Sequence, residues 1–307
     1  MNTLIDKLKN DTFSGIFELS GKAWIPTLIS YVVYSILAML LLTPIILNLM
    51  HFSEDDIAKL QEMGNDPFGM SREIEAMSEN FATMISPTSY GLIMLVVLGG
   101  MLFFSWTYYV ALISSKVVID EGKVDVGKIL AGSFSIKVVK LFLTFLAIWI
   151  VSTVGFLVIS AVSGLIASIL GGGIGGLLAV IGSLGWIAFH WRLSLSIPIV
   201  AYEDVSIGEA FNISLAALNW SKAFKYTLLS FVAIIVLGIM IMVVALISIL
   251  LAAIPVVGMI LGPVINMFVF AFCLTLIVAT LVALYYKYRG VGNDENNKLE
   301  DHLLYDN

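Results

Sequence analysis

The sequence predicts an all-α, polytopic membrane protein: six transmembrane helices in three parallel helical-hairpin repeats, with cytoplasmic interfacial helices between them. Three observations predict it. Hydrophobic residues fill 60% of the 307 positions and charged residues 12%, against about 25% charged in soluble domains, so the bilayer must serve as solvent. Six nearly uncharged runs, roughly 24–48, 90–115, 141–168, 177–199, 224–251 and 260–286, are each long enough to cross a ~30 Å core. Their lack of period-2 alternation makes them helices rather than barrel strands. Finally, of 16 Lys and Arg only Lys59 and Arg72 lie in the 51–89 connection. The other cations fall in regions that six spans place on one side, and the positive-inside bias makes that side cytoplasmic. Residues 1–289 then form one integral membrane domain and 290–307 a tail, with both termini inside.

Taken in order, residues 1–23 carry Asp6, Lys7, Lys9, Asp11, Glu18 and Lys22. They offer neither a clean apolar signal core nor an A-x-A-like cleavage site, so the N-terminus is expected to be retained. The outer 51–89 insertion holds eight acids against two bases. Ser53 with Asp55 and Asp56 opens one short helix there. Ser71 opens another, with Ile74, Met77, Phe81 and Met84 on one face. It reads as a solvated hairpin lying on its own bundle or as a docking surface for an extracytoplasmic partner. Glu54, Asp55 and Asp56 diverge around a helix and make a poor cation site. The runs GGGIGG (171–176) and IPVVGMILGP (254–263) are uncharged turn chemistry and predict tight hairpins. Cys273, the single cysteine, excludes an internal disulfide framework.

An internal repeat organises the spans. Residues 14–32 laid on 214–232 match at seven of 19 positions, among them Ser14/Ser214, Lys22/Lys222, Thr27/Thr227 and Ser30/Ser230. A fainter copy begins at VDVGKIL (124–130), which resembles VSIGEAF (205–211). Each unit reads as a short amphipathic helix followed by a transmembrane hairpin, related by an axis along the membrane normal. Ser206 with Glu209 makes a capping box, and Asp125 holds the corresponding start. Ile207, Phe211, Ser214, Leu215 and Leu218 share one face. Trp220 and Lys222, like Trp24 and Lys22, belong at headgroup depth. Such helices form an interfacial collar or recruit lipid or a soluble partner.

Arg192 in a late span, then Pro198, Glu203, Glu209 with Ala210, and Ser214, followed by Trp220, Lys222 and Phe224, form a pattern. It resembles a broad bacterial family of six-helix inner-membrane proteins of uncharacterised function, which includes the membrane domain of some glycerophosphoryl diester phosphodiesterases. The specific match covers roughly 40 residues, and the six-span layout extends it to most of the chain. The resemblance implies a bacterial cytoplasmic membrane. The residues after the last span offer no counterpart to the phosphodiesterase domain of some relatives, so that activity is not carried over.

Arg192 is the foremost candidate residue. It sits ~7–12 Å from the inner end of the fourth span, where an arginine costs at most ~2.5–3.5 kcal/mol on insertion scales. Two readings are open: pairing with Glu203 or Glu209 that pins the span to the next collar helix, or an anionic headgroup held by Arg192 with Lys222 and Lys225. His190 reads as a packed imidazole or a protonation switch. His51 and His302 sit elsewhere, so no metal or haem site is expected. The chain lacks G-x-S-x-G, a phosphate-binding Gly loop and H-E-x-x-H, so no catalytic residue, cofactor or nucleic-acid partner is expected. No carboxylate lies mid-span as ion-coupled transport requires, and Gly99, Gly100, Ser163 and Gly164 suit close helix packing. The expected function is a non-enzymatic membrane subunit or scaffold organising other subunits or lipid. The alternative is a transporter or flippase for an amphipathic molecule. In a Cys273→Ala background, Lys59→Cys should react with an impermeant maleimide on intact cells, and Lys123→Cys only after permeabilisation.

Overall fold

The structure, a computed structural model, describes residues 12–49, 87–231 and 255–288, together with isolated positions in 4–8 and 238–246. Among the described residues all regular structure is helical: α1 Thr12–Leu49, α2 Pro87–Glu121, α3 Val126–Gly132, α4 Ile136–Leu170, α5 Gly172–Ser194, α6 Ser196–Tyr202, α7 Ile207–Ala217, α8 over 220–231 and α9 Pro255–Tyr288. Five stretches are long and apolar enough to cross a membrane: Ser14–Leu40, Met94–Glu121, Ile136–Leu170, Gly172–Tyr202 and Val264–Tyr288. The expected span 224–251 is helical to 231, and most of its remainder lies outside the described residues. The two short helices expected in the 51–89 insertion, and the 290–307 tail, also lie outside them.

The chain divides into two units, Val32–Phe104 and Met1–Tyr31 with Ser105–Asn307. In the first, the rings of Tyr34 and Phe103 meet at 6.5 Å. The second holds a core whose hub is the short helix α6. Six of its seven residues, Ser196 to Ala201, are buried, and it packs against α4, α7 and α9. Pro198 sits in the first turn of α6, near the end of the apolar stretch Gly172–Tyr202. A missing N–H has no consequence there because the first four amides of a helix lack intrahelical acceptors. The junction at Leu195 is stabilised by hydroxyls: Ser194 donates to the Trp191 carbonyl at 2.7 Å and Ser196 to that of Leu193 at 2.6 Å.

The helix starts follow side-chain capping. Asp125 accepts from the Lys128 amide at 3.0 Å, Ser135 from Lys137 at 3.3 Å, Ser206 from Glu209 at 3.2 Å and Asn219 from Lys222 at 3.0 Å. Each satisfies one orphan donor of a first turn. Gly122, at φ +76°, closes α2, the left-handed geometry that favours glycine. Across that turn the Glu121 carboxylate bonds Lys128 and pushes its ammonium above the usual lysine range. Both groups face water, so the pair adds little stability.

In place of a six-residue glycine turn, the α4–α5 connection is Gly171 alone, at φ +94°; Gly172 onward is already helical. The glycines that let α4 and α5 approach are Gly155, Gly175 and Gly182. A Cβ on Gly155 would lie 2.2 Å from the Trp186 ring, one on Gly175 2.3 Å from the Ala167 Cβ, and one on Gly182 2.9 Å from Ile159. Ser163 is buried beside Gly175, as its small size suggests. Gly99, Gly100 and Gly164 differ from the expectation, since a Cβ on each meets nothing within 4 Å.

The repeated stretches agree in part. Thr27 and Thr227 are both buried and donate to the carbonyls of Ala23 and Ala223 at 3.4 and 3.0 Å. Ser30 and Ser230 then donate to the Thr27 and Thr227 carbonyls at 2.9 and 2.7 Å. The front ends differ. α1 runs unbroken from Thr12 through the span, whereas α7 ends at Ala217 before Asn219 caps α8. Residues 14–22 have no Asn-type cap to interrupt them, so no separate collar helix forms there. Gly155→Ala should lower the stability of the detergent-solubilised protein by about 1–3 kcal/mol in a denaturant titration, whereas Gly164→Ala should leave the midpoint unchanged.

Candidate functional site

Arg192 occupies the last turn of α5, and α7 brings its C-terminal end to it. The last carbonyls of any helix lack intrahelical donors and carry the negative end of its dipole. Arg192 supplies those donors: Nε bonds the Leu218 carbonyl and Nη2 the Leu215 carbonyl, each at 2.7 Å. Its guanidinium lies 4.8 Å from the centre of the Trp220 ring, where the π face attracts it. The Ser214 hydroxyl donates to the Arg192 carbonyl, so the two chains hold each other in both directions.

This replaces the expected pairing with Glu203 or Glu209. Glu209 sits in the first turn of α7, at the far end from the carbonyls that face Arg192, and is exposed. Glu203 accepts from the Tyr285 hydroxyl at 3.0 Å. The acids were plausible partners by charge, but the peptide carbonyls at the end of α7 arrive already oriented and without donors from their own helix. On the expected face of α7, Ser214 and Leu218 are fully buried and Ile207, Phe211 and Leu215 half-buried; Ala210 is buried beside them.

His190 reaches from α5 to α4, with Nε2 2.7 Å from the Ser152 hydroxyl and the ring edge-on to Trp186 at 5.6 Å. Ser152 directs its own proton to the Ile148 carbonyl, so the imidazole Nε2 carries the proton of the shared bond. A nucleophilic serine needs the reverse polarity and a third group to orient the base. The pair therefore works as an interhelical hydrogen bond.

Lys222 projects over the Tyr288 ring at 4.4 Å, and Lys225 is exposed one turn further along α8. Neither joins Arg192 in a common anion cradle, because the guanidinium is turned onto α7.

The structure adds a second cationic cap that the sequence reading missed. Lys137, at the start of α4, donates to the carbonyls of Ala201 and Tyr202 at 3.1 and 3.5 Å, the C-terminal end of α6. Around it, Lys140 meets Asp204 at 3.2 Å and Lys116 lies 5.5 Å from the Tyr202 ring centre. The Tyr202 hydroxyl donates to the Leu112 carbonyl of α2 at 2.8 Å. Lys137 follows shortly after the fainter repeat copy at 124–130, and Tyr202 and Tyr285 carried no signal of their own. Among the described residues, no three His, Cys, Asp or Glu side chains gather as metal ligands would. No family model, no curated protein and no solved structure matches this chain.

Arg192→Ala should lose about 2–4 kcal/mol, because two charge-assisted hydrogen bonds disappear and two carbonyls are left without donors. Glu203→Gln and Glu209→Gln should each stay within about 1 kcal/mol of the parent. Denaturant midpoints of the three purified variants separate carbonyl capping from an acid–base pair.

Proposed function

We propose that this chain is a six-span protein of the bacterial cytoplasmic membrane, with both termini inside, acting as a non-enzymatic subunit that docks a transmembrane helix of a partner protein. The six spans form three hairpin units. The matched Thr and Ser hydrogen bonds of α1 and α8 support a common ancestry for the first and third units. The capped helices α3 and α7 support interfacial collars before the second and third. The same reading carries the resemblance to six-helix inner-membrane proteins.

The observation that carries the functional reading is the outer face of the α4–α5 hairpin. Only 6% of the most apolar window in Ile136–Leu170 and 11% of that in Gly172–Tyr202 are buried. Along α4, Ser160, Gly164 and Ser168 recur at intervals of four and are all exposed, and a Cβ on Gly164 would meet nothing. Between helices in lipid there is little hydrophobic driving force. Association rests instead on close backbone approach, which small residues at this spacing allow. The glycines that hold the hairpin together are different ones, so the outer stripe is spare. The polar side chains nearby are directed to backbone: Arg192 and Lys137 cap helices, and Ser152 and Ser168 bond carbonyls of their own helix. That pattern suits a docking element better than a reaction centre or a translocation path.

With a benzophenone amino acid at Leu157, ultraviolet light should cross-link the chain in native membranes to a discrete membrane protein. Adding Gly164→Leu should abolish the cross-link while leaving the denaturation midpoint within about 1 kcal/mol. Vesicles containing the purified protein should scramble a fluorescent phospholipid no faster than empty ones. Faster scrambling, with cross-links to lipid alone, would transfer the assignment to the flippase class.

A further inference from the structure

A second cluster lies where α8 meets the end of α9. The hydroxyls of Tyr226 and Tyr288 are 2.7 Å apart. Lys222 sits 4.4 Å from the Tyr288 ring centre, and Lys287 lies 6.0 Å from the same centre. Trp191 packs on Tyr226 at 5.8 Å and donates its indole N–H to Ser230 at 3.3 Å. Tyr288 ends the apolar stretch Val264–Tyr288, so the cluster stands where a span leaves hydrocarbon. Tyrosine, tryptophan and lysine concentrate at that depth.

Proton accounting points to the chemistry the cluster can bind. Two phenols carry two hydroxyl protons, and the bond between them uses one. Among the described residues neither hydroxyl has a second partner, so the half-exposed pair keeps one O–H to donate outward. Lys222 and Lys287 bring further N–H donors, and among the described residues no carboxylate lies within 4 Å of either. Lys225, exposed three residues beyond Lys222, adds a third positive charge. The group that satisfies an unspent phenol proton and neighbouring ammoniums is an oxyanion with several acceptor oxygens.

We infer that Lys222, Lys287 and the Tyr226–Tyr288 hydroxyl pair form a binding site for a phosphate-bearing anion at the membrane surface. Arg192 has no part in it, since its guanidinium is turned onto the carbonyls at the end of α7. The phosphate of an anionic phospholipid headgroup reaches the cluster from the bilayer; free phosphate reaches it from water. A headgroup carrying its own cation is disfavoured, because the ammoniums repel it. The site is independent of the docking face on α4.

The test uses full-length protein in a neutral detergent, titrated separately with dioctanoyl-phosphatidylglycerol, dioctanoyl-phosphatidylcholine and inorganic phosphate, with bound species counted by native mass spectrometry. The expected result is one retained phosphatidylglycerol, and affinity lower by roughly tenfold in Lys222→Gln/Lys287→Gln. Tyr288→Phe, which keeps the ring beneath Lys222 and removes only the hydroxyl, should weaken retention severalfold, and it serves where the double variant does not fold. Displacement of the lipid by millimolar phosphate assigns the site to phosphate itself; resistance assigns it to the headgroup. Retention unchanged in both variants, equal retention of phosphatidylcholine, or binding to the parent only after residues 290–307 are removed would overturn the proposal.

Discussion

A guanidinium carried by an apolar helix must find acceptors for its donors or reach water, and Arg192 solves this with peptide carbonyls. Leu215 and Leu218 present oxygens that their own helix leaves unpaired. One side chain thus removes two problems, a desolvated cation and a bare helix end. Because the guanidinium also lies on Trp220, the constraint fixes the end of α5, the end of α7 and the beginning of α8 together. α6, which follows Arg192 after a single turn, is then enclosed by α4, α7 and α9.

The same economy recurs nearby. Lys137 caps α6 as Arg192 caps α7, and Tyr202 reaches the Leu112 carbonyl. Thr27, Thr144, Thr227 and Thr275 each return their hydroxyl to the carbonyl four residues earlier. In an apolar surrounding the backbone carbonyl is the acceptor that is always within reach, whereas pairing two side chains requires both to be ordered. The pattern gives a bundle whose interior polar groups are committed to holding helices. Among the described residues, the two places proposed for recognition are those where commitment is incomplete: the outer face of α4, with its exposed small residues, and the phenol–ammonium cluster of α8 and α9.

Helix starts were legible because a cap is local chemistry. Asp125, Ser206 and the amphipathic pattern after Ser206 act over three or four residues. The apolar runs were legible because transfer into hydrocarbon depends on composition over about 20 residues. The separate collar before the first span was misread because seven identities in 19 positions do not say where a helix breaks. Gly164 was distinguishable from Gly155 only once the orientation of the α4–α5 contact was known.

By itself the sequence determined an all-helical chain with membrane-length apolar segments, the caps that start its short helices, and the standing of Arg192 as the residue to explain. Those properties depend on side-chain chemistry within one helical stretch. The tertiary structure decided that Arg192 would take carbonyls of α7 rather than Glu203 or Glu209, that Lys137 would cap α6, and that Lys222 would join Tyr226, Tyr288 and Lys287. Each brings together residues 23 to 66 positions apart. Which groups meet across such distances depends on how helices pack, and charge alone does not encode that when a helix-end carbonyl competes as an acceptor.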